Sequence, residues 1–94
     1  MTYKLEFKQS ALKEWRKLDG SIREQFKKKL ADRLDSPRVE SACLSSMPDC
    51  YKIKLKAAGY RLVYQVEDAR LVVLVIAIGK REGNVVYLTA QGRL

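Results

Sequence analysis

The chain has 94 residues, with 19 Lys and Arg against 11 Asp and Glu, a net charge of +8, two cysteines and no histidine. This length predicts one domain, residues 1–94, with one core. The longest apolar run, residues 71–78, spans eight residues, whereas a membrane helix needs about twenty. Because the first ten residues alternate in polarity rather than forming a secretion signal, the sequence predicts a cytoplasmic protein without a membrane partner.

Missing residue types and motifs limit the chemistry. Without histidine, Cys43 and Cys50 cannot complete an ordinary zinc site. The sequence also lacks a glycine-rich phosphate motif and a cluster of carboxylates, which argues against a P-loop and a two-metal nuclease. We therefore expect no metal and no cofactor. Any proton transfer must use a tyrosine, lysine, arginine, carboxylate or thiol.

The N-terminal region predicts a strand and a short helix. Residues 3–8 alternate between apolar and charged types, which is the period of a half-buried strand. Ser10 is expected to cap a first helix, and Asp19-Gly20 to end it. Trp15 lies on the apolar side of this helix, so core packing is favoured over stacking on a nucleic-acid base.

A second helix follows directly. Ser21 and Glu24 have the spacing of a capping box. Apolar residues then recur at four-residue steps from Ile22 to Leu34, with lysines around this stripe, and Ser36-Pro37 ends the helix. The first 36 residues therefore predict a strand and a helical hairpin.

The second half of the chain predicts three strands in meander order. Residues 51–56 (YKIKLK) alternate strictly, so the apolar side chains share the core face and Lys52, Lys54 and Lys56 share the other face. Residues 57–59 form a turn to a strand at 60–66. The apolar run 71–78 fits a central strand that is covered on both faces.

The sequence of the C-terminal segment does not decide between a strand and a helix. Residues 79–84 are typical of a turn, and the tail from residue 85 carries both strand and helix signals. The sequence thus predicts an α+β fold in which two N-terminal helices pack on a small, mostly antiparallel sheet, with a C-terminal helix left undecided.

Positive charge gathers on the lysine-bearing face. Arg61 is expected there because its neighbours Tyr60 and Leu62 point to the core. Lys80 and Arg81 leave the adjacent strand nearby. Cations without interspersed carboxylates favour an anion between them, and a phosphodiester is the natural candidate. Lys56 and Lys80 are accordingly expected to contact RNA.

Metal-free cleavage is simplest in RNA, where the 2′-hydroxyl attacks the adjacent phosphate. The protein must hold the nucleotide in line, accept a proton, neutralise the phosphate oxygens and protonate the leaving 5′-oxygen. A neighbouring cation lowers the pKa of a tyrosine. A tyrosine among lysines is therefore a candidate base where histidine is missing.

The chain resembles RelE-type toxins of the RelE/ParE toxin–antitoxin superfamily from about residue 11 to residue 87. The resemblance is carried by residues 11–18 (ALKEWRKL), 47–55 (MPDCYKIKL), 59–66 (GYRLVYQV) and 79–82 (GKRE). It implies the same sheet-and-helix fold with a mobile C-terminal helix, and an mRNA endonuclease that acts in the ribosomal A site. Ser45-Ser46 departs from the Arg-Gly that is usual in the family.

The resemblance implies catalytic roles for Lys52, Lys54, Arg61, Arg81 and Tyr87. The two lysines would stabilise charge and help to activate the 2′-hydroxyl. Arg61 would hold the scissile phosphate and Arg81 would act as the acid at the leaving oxygen. Tyr87 would orient the nucleophile and stack on a base. The identity of the general base stays open, because strongly coupled groups titrate as a unit.

The implied partners are mRNA on the ribosome, with the ribosomal RNA of the 30S A site, and a RelB-like antitoxin. The charge of +8 predicts that this antitoxin is acidic or of mixed charge, and DNA would be reached only through the antitoxin complex. Two other functions stay open: a ParE-like toxin that binds DNA gyrase without cleaving nucleic acid, and a non-catalytic RNA-binding module.

Overall fold

The helices of the protein pack on the two faces of one sheet. The computed structural model describes residues 3–80 and 82–94. Its strands are β1 (Lys4–Phe7), β2 (Cys50–Leu55), β3 (Tyr60–Glu67) and β4 (Val72–Lys80). Its helices are α1 (Gln9–Arg16), α2 (Gly20–Asp35) and α3 (Val85–Arg93), with a short 3₁₀ turn at Glu40–Ala42.

The strand order across the sheet is β1-β4-β3-β2. β3 is antiparallel to both of its neighbours, whereas β1 runs parallel to β4. A parallel pair needs a long crossover, which here contains both N-terminal helices and the β2–β3 hairpin. The predicted mostly antiparallel sheet is thus confirmed.

One face of the sheet carries the larger core. α1 and α2 pack there against Ile53, Leu62 and Val75, all of which are buried. Trp15 contributes to this core, because its ring lies 5.2 Å from the ring of Phe7 and 6.4 Å from that of Phe26. The expectation that Trp15 packs in the core is confirmed.

The opposite face carries a second, smaller core under α3 and the loop before β2, so the expectation of one core is wrong. Its buried members are Met47, Cys50, Val63, Ile76, Ala77, Val86 and Ala90. β4 contributes side chains to both cores, so the prediction of a central strand covered on both faces is confirmed. α3 covers only part of this second face, and the rest of that face carries the lysines.

The predicted cap of the first helix is wrong. The main-chain N–H of Lys8 donates to the carbonyl of Val75 at 2.9 Å, which extends the β1–β4 pairing by one residue. The helix therefore begins immediately afterwards at Gln9, and Ser10 lies inside its first turn.

The predicted capping box of the second helix is also wrong. Asp19 occupies the cap position, and the Ser21 hydroxyl donates to Asp19 Oδ2 at 2.9 Å. Glu24 pairs instead with Lys27 Nζ, one turn further along the helix, at 3.3 Å. The helix starts at Gly20, two residues too early for Ser21 to cap it.

The turn predicted at Gly79 and Lys80 is wrong, because both residues continue β4 and pair with β3. The undecided tail is the helix α3, whose Val86 and Ala90 are buried on the sheet. Within the described ranges, none of the helices has the length and apolar character needed to cross a bilayer.

Candidate active site

A row of three residues crosses the lysine-bearing face of the sheet. Lys54 lies opposite Arg61 in the β2–β3 register, and Arg61 lies opposite Gly79 in the β3–β4 register. Directly opposed residues of antiparallel strands place their side chains on one face, with Cβ atoms about 5 Å apart. The structure therefore brings Lys54 and Arg61 together, as the alternation predicts.

Lys52 lies two residues before Lys54 on the same face and is half-buried. Its main-chain carbonyl accepts a hydrogen bond from Arg33 Nη1 of α2 at 3.2 Å. The same guanidinium nitrogen donates to the hydroxyl of Tyr64 at 2.8 Å. α2 thus fixes the backbone of β2 from the opposite face, directly behind the candidate site.

Tyr64 belongs to this supporting network and not to the candidate site. Its hydroxyl donates to the carbonyl of Pro37 at 2.6 Å, and its ring stacks on Tyr51 with centroids 5.7 Å apart. Burial raises the pKa of the Tyr64 phenol, and the hydrogen bond from Arg33 opposes that rise. A buried phenol that is held by these contacts is suited to a structural role.

Tyr87 approaches Arg61 from α3. Arg61 Nη1 donates to Tyr87 Oη at 3.1 Å, and the guanidinium carbon lies 5.4 Å from the centre of the Tyr87 ring. A cation this close to an aromatic ring is attracted by its face. Both side chains are half-buried, so the contact is partly shielded from water while one side of the pair stays accessible.

Two hollows lie at this cluster. A groove of about 350 Å³ is lined by residues of the loop before β2, by Lys52 and by α3 residues that include Tyr87. A hollow of about 200 Å³ is lined by residues that include Lys54, Lys56 and Arg61. Lys52 and Lys54 share one strand, and Arg61 touches Tyr87, so the two hollows adjoin the same group of cations.

The other three candidates are placed differently. Lys56 is exposed just beyond the end of β2 and lines the smaller hollow. Lys80 lies opposite Tyr60, which puts its Cβ on the face of the larger core. β4 alternates from Ala77 to Lys80, after the irregularity at Ile76, so the backbone of Lys80 does not direct its side chain toward the lysine-bearing face, and its contact with RNA stays a prediction. Arg81 lies outside the described residues.

Sequence patterns missed two polar side chains beside Tyr87. Asn84 and Gln91 both line the larger groove. They stand three residues before and four residues after Tyr87, which places all three on one side of α3. This spacing is informative only once the tail is known to be helical.

Asp, Glu and Cys side chains within residues 3–80 and 82–94 do not form a group of three that could hold a metal ion. Cys43 is exposed and lines the larger groove. Cys50 is buried, which raises the pKa of its thiol to about 11. The described groups that meet at the site are therefore ammonium, guanidinium and phenol groups.

Comparison with known proteins assigns this chain to a family. The family model for the ParE toxin of type II toxin–antitoxin systems (parDE) matches residues 5–85. The chain belongs to the RelE/ParE family of toxins of type II toxin–antitoxin systems. Over 94 residues, it is 58% identical to the mRNA interferase toxin RelE of Escherichia coli strain K12, with 100% of this chain and 99% of that protein covered.

Solved structures agree with this assignment. A mutant of E. coli toxin RelE in the free state matches with a TM-score of 0.91 at 57% identity, covering 100% of this chain and 99% of that chain. The intact E. coli RelBE toxin–antitoxin complex matches with a TM-score of 0.83 at 61% identity, covering 85% of this chain and 98% of that chain. The predicted α+β fold of the RelE type is confirmed.

Proposed function

We propose that this protein is the toxin of a type II toxin–antitoxin module and an endoribonuclease that cleaves mRNA in the ribosomal A site, thereby inhibiting translation in the cytoplasm. The contact between Arg61 and Tyr87 beside Lys54 carries the proposal, because it joins a phosphate-binding group to a phenol on an accessible face. The 58% identity to an mRNA interferase supports the same activity.

The proposed reaction needs no metal because the nucleophile belongs to the substrate. The 2′-oxygen forms a bond to the adjacent phosphorus while its proton passes to a base of the site. The bond from phosphorus to the 5′-oxygen breaks, and that oxygen takes up a proton. The products are a 2′,3′-cyclic phosphate and a 5′-hydroxyl, so atoms and charge balance.

The described residues suit distinct roles in this step. Arg61 binds the scissile phosphate, since a guanidinium offers paired donors to two phosphate oxygens. Lys52 and Lys54 neutralise the charge that grows on those oxygens. Tyr87 orients the 2′-hydroxyl and presents its ring to a base. Arg81 is proposed as the acid at the 5′-oxygen on the family resemblance.

Neighbouring nucleotides have a path along the larger groove. Lys52 and Tyr87 line it together with the amides of Asn84 and Gln91. Amide side chains hydrogen-bond to base edges, and an aromatic ring stacks on any base. We place the nucleotides that flank the cleaved bond in this groove.

A RelB-like antitoxin is the proposed protein partner. The RelBE complex shows a toxin of this fold bound to its antitoxin. The net charge of +8 favours a partner that is acidic or of mixed charge, and contact with DNA would come only through that complex. The ribosomal partner surface is the 30S A site with its RNA.

A ParE-like inhibitor of DNA gyrase is the second candidate, because the matching family model describes ParE. An inhibitor that cleaves no nucleic acid requires this fold, but it does not require cations and a phenol to lie together on an accessible face. The contact between Arg61 and Tyr87 therefore favours the nuclease.

The proposal is tested by inducing the protein in cells and mapping mRNA 5′ ends against the reading frame. Wild type should produce new ends at in-frame positions of translated messages, and Arg61→Ala and Arg81→Ala should not. Arg70→Ala is the matched control, since Arg70 pairs with Glu6 and Glu67 away from the candidate site. Inhibition of supercoiling without new mRNA ends would overturn the proposal in favour of a gyrase inhibitor.

A further inference from the structure

One ion pair, between Arg93 and Glu14, joins the last turn of α3 to α1, and we call this pair the clasp. Arg93 Nη1 donates to Glu14 Oε1 at 2.8 Å, and Arg93 Nη2 donates to Glu14 Oε2 at 3.1 Å. The side chains are only 23% and 31% exposed. A two-pronged bond between a guanidinium and a carboxylate fixes orientation as well as distance, and this one joins residues 79 positions apart.

The same two side chains complete the edge of β4. β1 ends at Phe7, in register with Val75. Just beyond this point, the carbonyl of Ile76 accepts from Arg93 Nη1 at 2.8 Å, and the N–H of Ile78 donates to Glu14 Oε1 at 3.1 Å. Buried main-chain groups need such partners. The clasp thus satisfies main-chain groups of β4 where β1 has ended.

α3 depends on contacts of this kind. It has nine residues, and its buried residues are Val86 and Ala90. An isolated helix shorter than about 12 residues is marginal in water, so tertiary contacts must hold α3 in place. The clasp holds its last turn, and Tyr87 lies in its first turn, six residues before Arg93.

We propose that Glu14 and Arg93 are positioning residues that hold Tyr87 against Arg61. Neither touches the candidate site, and both act through the placement of α3. The consequence for cleavage rests on the proposed function, whereas the consequence for the Arg61–Tyr87 contact does not.

The geometric part is tested by nuclear Overhauser contacts between the Tyr87 ring and the Arg61 side chain in the free, isotope-labelled protein. We expect these contacts in wild type and their loss in Arg93→Ala. They should weaken in Arg93→Lys, because a lysine keeps the positive charge but cannot form the two parallel hydrogen bonds to Glu14. Glu14→Gln should keep them in part, because its amide oxygen still accepts from Ile78. Arg70→Ala is the matched control. Contacts of wild-type intensity in folded Arg93→Ala would overturn the proposal.

The catalytic part is tested by single-turnover cleavage of mRNA on programmed ribosomes. Arg93→Ala should slow cleavage about tenfold or more, with little change in the toxin concentration that gives half-maximal rate. In a Tyr87→Ala background, Arg93→Ala should cause no further loss, because its effect passes through Tyr87. Additive losses would overturn the positioning role. If wild type does not cleave while Arg93→Ala still loses the ring contacts, the proposed function fails and the positioning role stands.

Discussion

Gly79 of β4 and Val86 of α3 lie so close together that a Cβ atom on Gly79 would stand 3.0 Å from Val86 Cγ2. Gly79 lies opposite Arg61 in the sheet, and Val86 directly precedes Tyr87. A residue without a side chain at position 79 therefore lets the first turn of α3 approach the strand where Arg61 and Tyr87 meet.

Gly79→Ala should displace the start of α3 and slow cleavage about tenfold or more, since a misplacement of about 1 Å can cost about 100-fold. Single-turnover cleavage on programmed ribosomes measures the change. Gly92→Ala is the control, because it lies in the same helix and a Cβ there would meet nothing within 4 Å. Equal rates for the two variants would contradict the close-approach argument.

Tyr87→Phe keeps the ring and removes the hydroxyl that accepts from Arg61. If this hydroxyl takes part in proton transfer, the cleavage rate should fall by roughly 10²–10⁴, with half-saturation little changed because the ring still stacks. Tyr3→Phe is the matched control, since the Tyr3 hydroxyl donates to Asp68, away from the candidate site. A Tyr87→Phe variant with the wild-type rate would remove the phenol from the mechanism.

Binding of single-stranded RNA should be strongly salt-dependent. Each neutralised phosphate of a single strand contributes about −0.7 to the slope of log affinity against log salt, so five contacts give about −3.5. Lys54→Ala should reduce the slope to about −2.8. The comparison variant is Lys28→Ala, which changes an exposed lysine of α2. Fluorescence anisotropy measures both, and equal slopes would show that Lys54 binds no phosphate.

The central strands could be predicted from sequence because the pattern that defines them lies within a few consecutive residues. In residues 51–55, a period of two separates the core face from the lysine face without any knowledge of partners. Arg61 could be placed by the same argument from its two neighbours. The register that sets it opposite Lys54 follows from the tight turn, where Gly59 adopts a φ of 72°.

Features set by distant contacts could not be predicted. Ser10 does not cap α1, because pairing of Lys8 with Val75, far along the chain, sets where the helix begins. α3 has mixed local signals, and its position depends on Val86, Ala90 and a clasp to Glu14 near the other end of the chain. The position of Tyr87 follows from that helix, so only the family resemblance indicated it.

Cys43 offers a chemical test of the groove. Its thiol is exposed beside the groove that Lys52 and Tyr87 line, whereas burial of Cys50 raises the pKa of that thiol to about 11. A bulky maleimide should therefore label Cys43 selectively in the folded protein and block cleavage. Cys43→Ser should cleave normally and resist the reagent. Full activity after stoichiometric labelling of Cys43 would show that RNA does not use this groove.

Asp68 links the residue before β1 and the loop after α2 to the β3–β4 turn, and its ionisation predicts that the free energy of unfolding falls at acid pH. Its carboxylate accepts from the Tyr3 hydroxyl at 2.5 Å and from Arg38 Nη2 at 2.6 Å, and these bonds lower its pKa below the usual 3.8. Because the folded pKa is depressed, the stabilisation is present above about pH 4 and is lost as pH falls through the folded value.

Urea unfolding between pH 3 and pH 7 measures this effect. Asp68→Asn should be less stable than wild type at pH 7, and the difference should shrink toward pH 3. The control is Asp32→Asn, at an exposed position of α2. A difference between wild type and Asp68→Asn that does not vary with pH would contradict the assignment.

Attack by the 2′-hydroxyl is tested most directly with an mRNA that carries one 2′-deoxynucleotide at the proposed cleavage position in the ribosomal A site. The all-ribose message should yield a 2′,3′-cyclic phosphate and a 5′-hydroxyl end. The deoxy message should stay intact while still competing for the toxin. Cleavage of the deoxy message at a comparable rate would contradict attack by the 2′-hydroxyl, and with it the roles assigned to Lys52, Lys54, Arg61 and Tyr87.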